Sequence, residues 1–311
     1  MHMADALLSP PVGGAMYAVS VAAVAYSVKK IRTAEERDNK APLMAVSGAM
    51  IFAAQMINFT IPGTGSSGHI GGGILLAALL GPFAGLLALA AVLIIQCLCF
   101  ADGGLLALGC NIFNIAVIPC LIVYPLVFKP ILSPSPVKKR IWFASVVSVV
   151  VALQLGSFCV VLQTVASEIA ELPFAAFAVL MQPIHLVIGV IEGLVTAAIL
   201  TFVFSARPEL LTHTNNVEGV VADIPQKKSL RPVIITFACI AAVTAGIFSL
   251  FASAYPDGLE WSVEKAAGPS FLDTSGEDEY TPVAGLIGAA LVFLVSIAAA
   301  LLIRLIKKRK C

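Results

Sequence analysis

The sequence predicts an all-α polytopic membrane protein with about nine transmembrane helices, and three observations carry that expectation. The 311 residues are 59% hydrophobic and only 12% charged, with a mean hydropathy of +0.98. Soluble domains carry roughly 25% charged residues. Apolar runs long enough to cross a bilayer recur along the whole chain. The basic residues fall into a few clusters, each beside such a run, and a nine-span path puts nearly all of them on one side.

The long runs cover residues 11–28, 43–61, 82–100, 109–128, 141–166, 174–204, 232–254 and 283–303. One more, HIGGGILLAALLG at 69–81, is short and ends at Gly81-Pro82. It is either the start of one long helix or a helix of its own that reverses there. Charge decides. With nine spans and the amino terminus outside, Lys29, Lys30, Arg32, Arg37 and Lys40 fall in the first cytoplasmic segment. Lys129, Lys138, Lys139 and Arg140 fall in the second. Arg207, Lys227, Lys228 and Arg231 fall in the third, and Arg304, Lys307, Lys308, Arg309 and Lys310 in the tail. Eighteen of the nineteen basic residues are thereby inside, and Lys265 alone is outside. Eight spans would put the second cluster outside, against the positive-inside tendency. A span over 69–81 is only about 20 Å long, short of the roughly 30 Å hydrocarbon thickness. Other helices must shield it, and the glycine-rich loop 63–73 is expected to fold down into protein, where irregular backbone is tolerated.

This path divides the chain into a seven-span unit at 1–205, a polar cytoplasmic linker at 206–231 and a two-span tail at 232–311. The tail carries an outside loop at 255–282. That loop holds seven acidic residues against one lysine and reads mainly as a solvated face, with weak attraction of cations as the alternative. Its Pro256-Asp257-Gly258 is turn chemistry, and Trp261 suits a membrane interface. Nucleic-acid binding has no support, because every basic cluster adjoins a span. Six of the seven cysteines lie in apolar segments, where cysteine behaves as a small hydrophobe; no CxxC occurs and no disulfide framework is expected. GTGSSGHIGGG lacks the Gly-Lys-Ser/Thr ending of a phosphate loop, so the chain is not expected to hydrolyse ATP. His213 sits in the linker and reads as solvated.

The start, MHMADALLSP, has no basic leader, and Asp5 stands where Lys or Arg would be expected. The start is expected to be retained, with the bulky second residue protecting Met1 from removal. The Met1 α-amine, the His2 backbone nitrogen and the His2 imidazole Nδ1 can then close two fused chelate rings around a metal. Such a set is nearly planar and leaves one in-plane corner, which a second imidazole, His69, can fill. Four nitrogens in a square select Ni(II) or Cu(II) and suit Zn, Mg or Ca poorly. On spacing alone the alternative is a solvated terminal histidine and a helix-capping His69.

Four stretches then carry a resemblance: MHMADALLSP, AQMINFTIPGTGSSGHIGGGILLAALLGP, FADGGLLALGCNIFNIAVIP and HLVIGVIEGLVTAA. Together they resemble the substrate-capture (M) component of nickel and cobalt energy-coupling-factor importers, the NikM/CbiM family. SAYPDGLEWSVEKAAG is similar to the small PDGLE-type N component of nickel systems, here fused as in NikMN. The resemblance implies a seven-helix capture domain, metal held by Met1, His2 and His69, and a multi-pass place in a prokaryotic cell membrane. It also implies partner subunits, a transmembrane coupling subunit and cytoplasmic ATPases, and no cofactor beyond the transported Ni2+ or Co2+. The family's start is usually Met-His-Ile-Pro-Asp-Gly, whereas Met3, Ala4 and Ala6 stand here; loss of the Pro and Gly predicts a less rigid plug.

Asp102 in FADGG either orients a ligating imidazole through its free N–H or is a solvated turn residue. Asn58, Ser66, Ser67 and Asn111 are candidates for hydrogen bonds to the loop or the site, beside the plainer reading of caps and turns. His185 and Glu192 share one face of the seventh span and, as ionisable groups inside a membrane, are expected to face the bundle interior or a partner. They read as a bracing or coupling pair rather than as metal ligands. Cobalt in place of nickel is the nearest rival. A membrane metalloenzyme would need an open metal position and a general base, and a passive channel would need a polar stripe along several spans.

Overall fold

The computed structural model describes residues 2–33, 41–133, 137–170, 172–215, 230–267, 283, 285–295 and 297. After a single helical turn at Asp5–Leu7 come α1 (Pro10–Thr33) and α2 (Ala41–Gln55). A small antiparallel hairpin of β1 (Phe59–Ile61) and β2 (Ser66–Gly68) follows. Then come α3 (Gly73–Leu80), α4 (Pro82–Phe100), α5 (Leu108–Leu132), α6 (Lys138–Ser167), α7 (Phe174–Ala206) and α8 (Pro208–Asn215). The tail adds α9 (Arg231–Gly246), α10 (Gly258–Ala267) and α11 (Gly285–Val295). α1, α4, α5, α6 and α7 are long and apolar enough to cross a bilayer, and α2, α9 and α11 are shorter apolar helices. The protein is a nearly all-helical membrane protein.

The short run behaves as charge required. Gly81, at φ +87, breaks the helix between α3 and α4, and Pro82 opens α4, where its missing N–H has no helical partner to lose. A Cβ on Gly85 would lie 2.8 Å from the Ala77 backbone nitrogen, so α4 folds back directly against α3. α3 has only eight residues and every one is buried. Its shortness is therefore answered by complete enclosure. Three expected spans are shorter than their apolar runs, and the one at 232–254 ends as α-helix at Gly246. The run at 43–61 is helical only to Gln55, because the Pro62–Gly65 turn, with Gly63 at φ +78 and Gly65 at φ +73, pairs 59–61 with 66–68 as strands. In the run at 69–81, helix begins at Gly73, and His69–Gly72 is irregular.

Among the described residues, α6 and α7 form the most extensive helix pair. Gly189 and Gly193 make this possible: a Cβ on either would come within 3.1 Å and 2.7 Å of the Val150 and Val146 Cα atoms. α5 carries Pro119 and Pro125 inside a stretch of wide turns, Ile112–Phe128, which accommodates the donors that proline lacks. α9 of the tail packs along α2, and Gly288 of α11 accepts the Phe52 ring edge in place of a side chain. The segment expected as a linker begins folded: α8 buries Leu211 beneath α3, and 216–229 lie outside the described residues. The backbone of His213 is in α8. The acidic loop also starts as structure, with α10 packed on α7. Asp273, Glu277, Asp278 and Glu279 lie outside the described residues.

Candidate metal site

The site lies at the end of the bundle that carries the β-hairpin, where the start of the chain, the glycine-rich loop, the α4–α5 turn and the tail converge. Met3, Leu7 and Leu8 are fully buried in one core with Val160, Phe177, Met181 and Leu259. Apolar burial thus draws the first residues into the bundle. Polar contacts then fix their register. Met3 N donates to Asn111 Oδ1 (2.8 Å), and Met3 O accepts from Asn111 Nδ2 (3.2 Å) and Gly104 N (2.9 Å). Asp5 Oδ1 accepts from Ala107 N (3.0 Å). Gly103, at φ +81, has no room for a side chain, since its Cβ would lie 2.7 Å from Asn111 Nδ2. The segment is fastened despite the alanines at positions 4 and 6.

This clamp sets His2 against His69. Their rings stack at 5.0 Å between centroids and 15° between planes. The His2 side chain is 7% exposed and its Nδ1 lies 3.3 Å from Asp102 Oδ1. Its Nε2 is buried without a hydrogen-bond partner. Burial pushes both imidazoles from 6.5 down to about 3, so both are neutral with nitrogen lone pairs available. Met1 lies outside the described residues. Among the described residues, no three His, Cys, Asp or Glu side chains converge on one point that could hold an ion.

His69 is held from both sides. On its outer side, β2 is stitched to the tail: Ser67 N donates to Pro256 O (2.8 Å), and Ser67 Oγ to Tyr255 O (2.7 Å). On the inner side, Gly71 N and Gly72 N donate to the two carboxylate oxygens of Glu192 (2.9 and 2.8 Å), and Gln55 Nε2 donates to Gly71 O (2.8 Å). A Cβ on Gly68 would lie 2.6 Å from the Ile188 side chain, so the strand runs flush against α7.

The remaining candidates separate by contact. Asn111 positions the backbone next to His2. Asn58 supports the tail, its carbonyl accepting from Ser253 N (2.7 Å). Ser66 closes the hairpin turn with Thr64 Oγ1 (3.0 Å). His185 and Glu192 do not hydrogen-bond each other; His185 Nδ1 lies 2.8 Å from Met181 O in the turn before it. Gln55 has no role in the sequence reading, while Met3 figures there only as a departure from the family's start and Asp257 only as turn chemistry and loop charge. Gln55 carried a signal, as one of two amides in an apolar run. Asp257 caps α10, Oδ1 accepting from Leu259 N (2.8 Å) and Glu260 N (2.9 Å). Its carboxyl stays below the usual range although burial disfavours the charge, the Glu260 N–H being one of the groups that favour it.

A family model for the cobalt uptake substrate-specific transmembrane region (CbiM) matches residues 2–210. The chain belongs to this family. The model for the PDGLE domain matches residues 231–280. A putative fused nickel transport protein NikMN of Archaeoglobus fulgidus is 31% identical over 96% of this chain and 97% of its own length. A putative metal transport protein of Haloquadratum walsbyi is 38% identical over 68% of this chain and 93% of its own. A crystal structure described as a transition metal transporter superposes with a TM-score of 0.56 at 29% identity, covering 70% of this chain and all of that one. This CbiM-family chain is accordingly a nickel/cobalt transport component of the fused type, embedded in the cell membrane, and not an enzyme.

Proposed function

We propose that this CbiM-family chain captures Ni(II) from outside the cell in a square of four nitrogens and delivers it to an ATP-driven importer. The donors are the Met1 amine, the His2 backbone nitrogen, His2 Nδ1 and, in the corner opposite the backbone nitrogen, His69. The observation that carries this is the pairing of two buried neutral imidazoles, one of them on the second residue of the chain. A half-turn of the His2 ring about Cβ–Cγ takes Nδ1 away from Asp102 and frees it for the square. The metal displaces the His2 amide proton, leaving one net positive charge, and the Asp257 carboxylate beside His69 balances it.

In this reading the amino terminus is outside, residues 1–205 form the capture unit, and 232–311 form a fused tail whose α10 covers the loop. The sequence has no phosphate-binding loop, so separate ATPase subunits and a membrane coupling subunit supply the energy. The same donors also accept Co(II), and the family model is named for cobalt uptake. Square nitrogen ligation favours nickel. Titrating the purified chain with Ni(II) tests the reading. Wild type is expected to bind one equivalent as a yellow diamagnetic complex. His2→Ala, or residues added before Met1, is expected to abolish binding. Undiminished stoichiometric binding in either variant would overturn it.

A further inference from the structure

Behind His69 the bundle contains a cavity that shares only His69 with the proposed capture site. Gly68, His69, Gly71, His185, Glu192 and Gly258 line its polar side, and Ile115, Leu153 and Ile188 its apolar side. A second cavity shares Gly71, Ile115, Leu153 and Glu192 with the first and continues past Asn114 and Pro119 to Val149 and Ala152 between α5 and α6. The two lie in series, leading from His69 into the middle of the bundle.

His185 is the unexplained group there. Its side chain is 1% exposed. Nδ1 faces the Met181 carbonyl at 2.8 Å, an acceptor, so Nδ1 carries the ring proton and Nε2 is a bare lone pair. That Nε2 is buried and has no partner. The nearby loop donors are taken, because Gly71 N and Gly72 N already bind Glu192. A buried imidazole lone pair left bare is costly, and an ionisable side chain inside a membrane marks an ion or substrate path.

From this geometry we infer that His185 is the first inward ligand for the cation leaving His69, and that the His69–His185–Glu192 cavity is a station on its route through the bundle. The inference rests on the capture reading above. Neutral imidazole nitrogen is a good donor for Ni(II) and Co(II), and the Glu192 carboxylate, two helical turns further along α7, offers negative charge beyond it. Passage requires sites that bind well enough to enter and weakly enough to leave. The arrangement meets that condition, since one imidazole here faces a single carboxylate with no finished chelate among the described residues. Gly258 keeps the station open. A Cβ at Gly258 would lie 3.1 Å from His185 Cε1, which places the start of α10 directly on the ring.

Two measurements on the full chain test this. In the first, His185→Gln is compared with wild type for equilibrium Ni(II) binding and for nickel-63 uptake by cells producing the whole transporter. Binding is expected to keep its stoichiometry and affinity while uptake falls at least tenfold. Unchanged uptake, or parallel loss of binding and uptake, would overturn the inference. The second uses 15N-histidine-labelled chain carrying His2→Ala, titrated with Co(II). The His185 ring resonance is expected to broaden saturably, and absence of saturable broadening would count against the station. Failure of the capture reading has a different signature, namely wild-type chain that binds no nickel.

Discussion

At the scale of single residues, position matters more than identity. Asn111 was one polar residue among several in the sequence, and only the fold shows that its amide grips both backbone groups of Met3. Asn111→Ala strips the Met3 N–H of its partner inside the bundle, at a cost of about 1–3 kcal/mol. We expect nickel affinity to fall 10- to 100-fold by calorimetric titration, as is usual when support behind a ligand is lost. Unchanged affinity would mean that the metal alone places His2. The histidines make a second prediction. Their folded pKa of about 3 lies below the 6.5 of the free ring, so the opened terminal segment binds more protons than the closed one between these values. Closure is fully stable above pH 6.5 and is lost progressively as pH falls toward 3. Hydrogen exchange at Met3 N–H, corrected for intrinsic rate, should therefore accelerate in acid. His2 and His69 were legible as a pair because their chemistry is unusual. Gln55 and Asp257 were not, since nothing local in the sequence says which carbonyl or ring an isolated polar side chain will meet.

At the scale of elements, the legible part was what hydropathy and charge determine. The break at Gly81-Pro82 followed from charge counting, and the structure agrees because a positive-φ glycine and a proline together end one helix and start another. The hairpin at 59–68 was hidden, because an apolar run such as NFTI reads equally as the end of a helix until the Pro-Gly turn after it finds a pairing strand. Close helix packing was likewise invisible, since a glycine in an apolar run does not announce its neighbour. Gly193→Ala would press its methyl against the Val146 backbone at 2.7 Å. We expect a loss of about 1–3 kcal/mol from overpacking, read as a lower melting temperature in detergent. Gly14→Ala, in α1 with nothing within 4 Å of its Cβ, should leave the melting temperature unchanged or raise it, helix propensity favouring alanine.

At the scale of the whole molecule, the fused tail is part of the site's wall. Ser67 bonds to Tyr255 and Pro256, Thr60 to Ser253, and Leu259 enters the core that holds Met3. The loop carrying His69 is thus sandwiched between Glu192 of α7 and the start of α10, and on the proposed reading a captured ion leaves outward when one of these attachments loosens. Ser67→Ala removes the hydroxyl bond to Tyr255 but keeps the backbone bond to Pro256 O. The loss is about 0.5–1.5 kcal/mol, equivalent to roughly a two- to tenfold faster opening if the tail holds the loop closed. Nickel release into excess chelator, followed by stopped-flow absorbance on the purified chain, should speed up by that factor while the on-rate changes less. An unchanged release rate, with Ser67→Ala still folded and still binding one nickel, would assign the tail to some step other than retention of the ion.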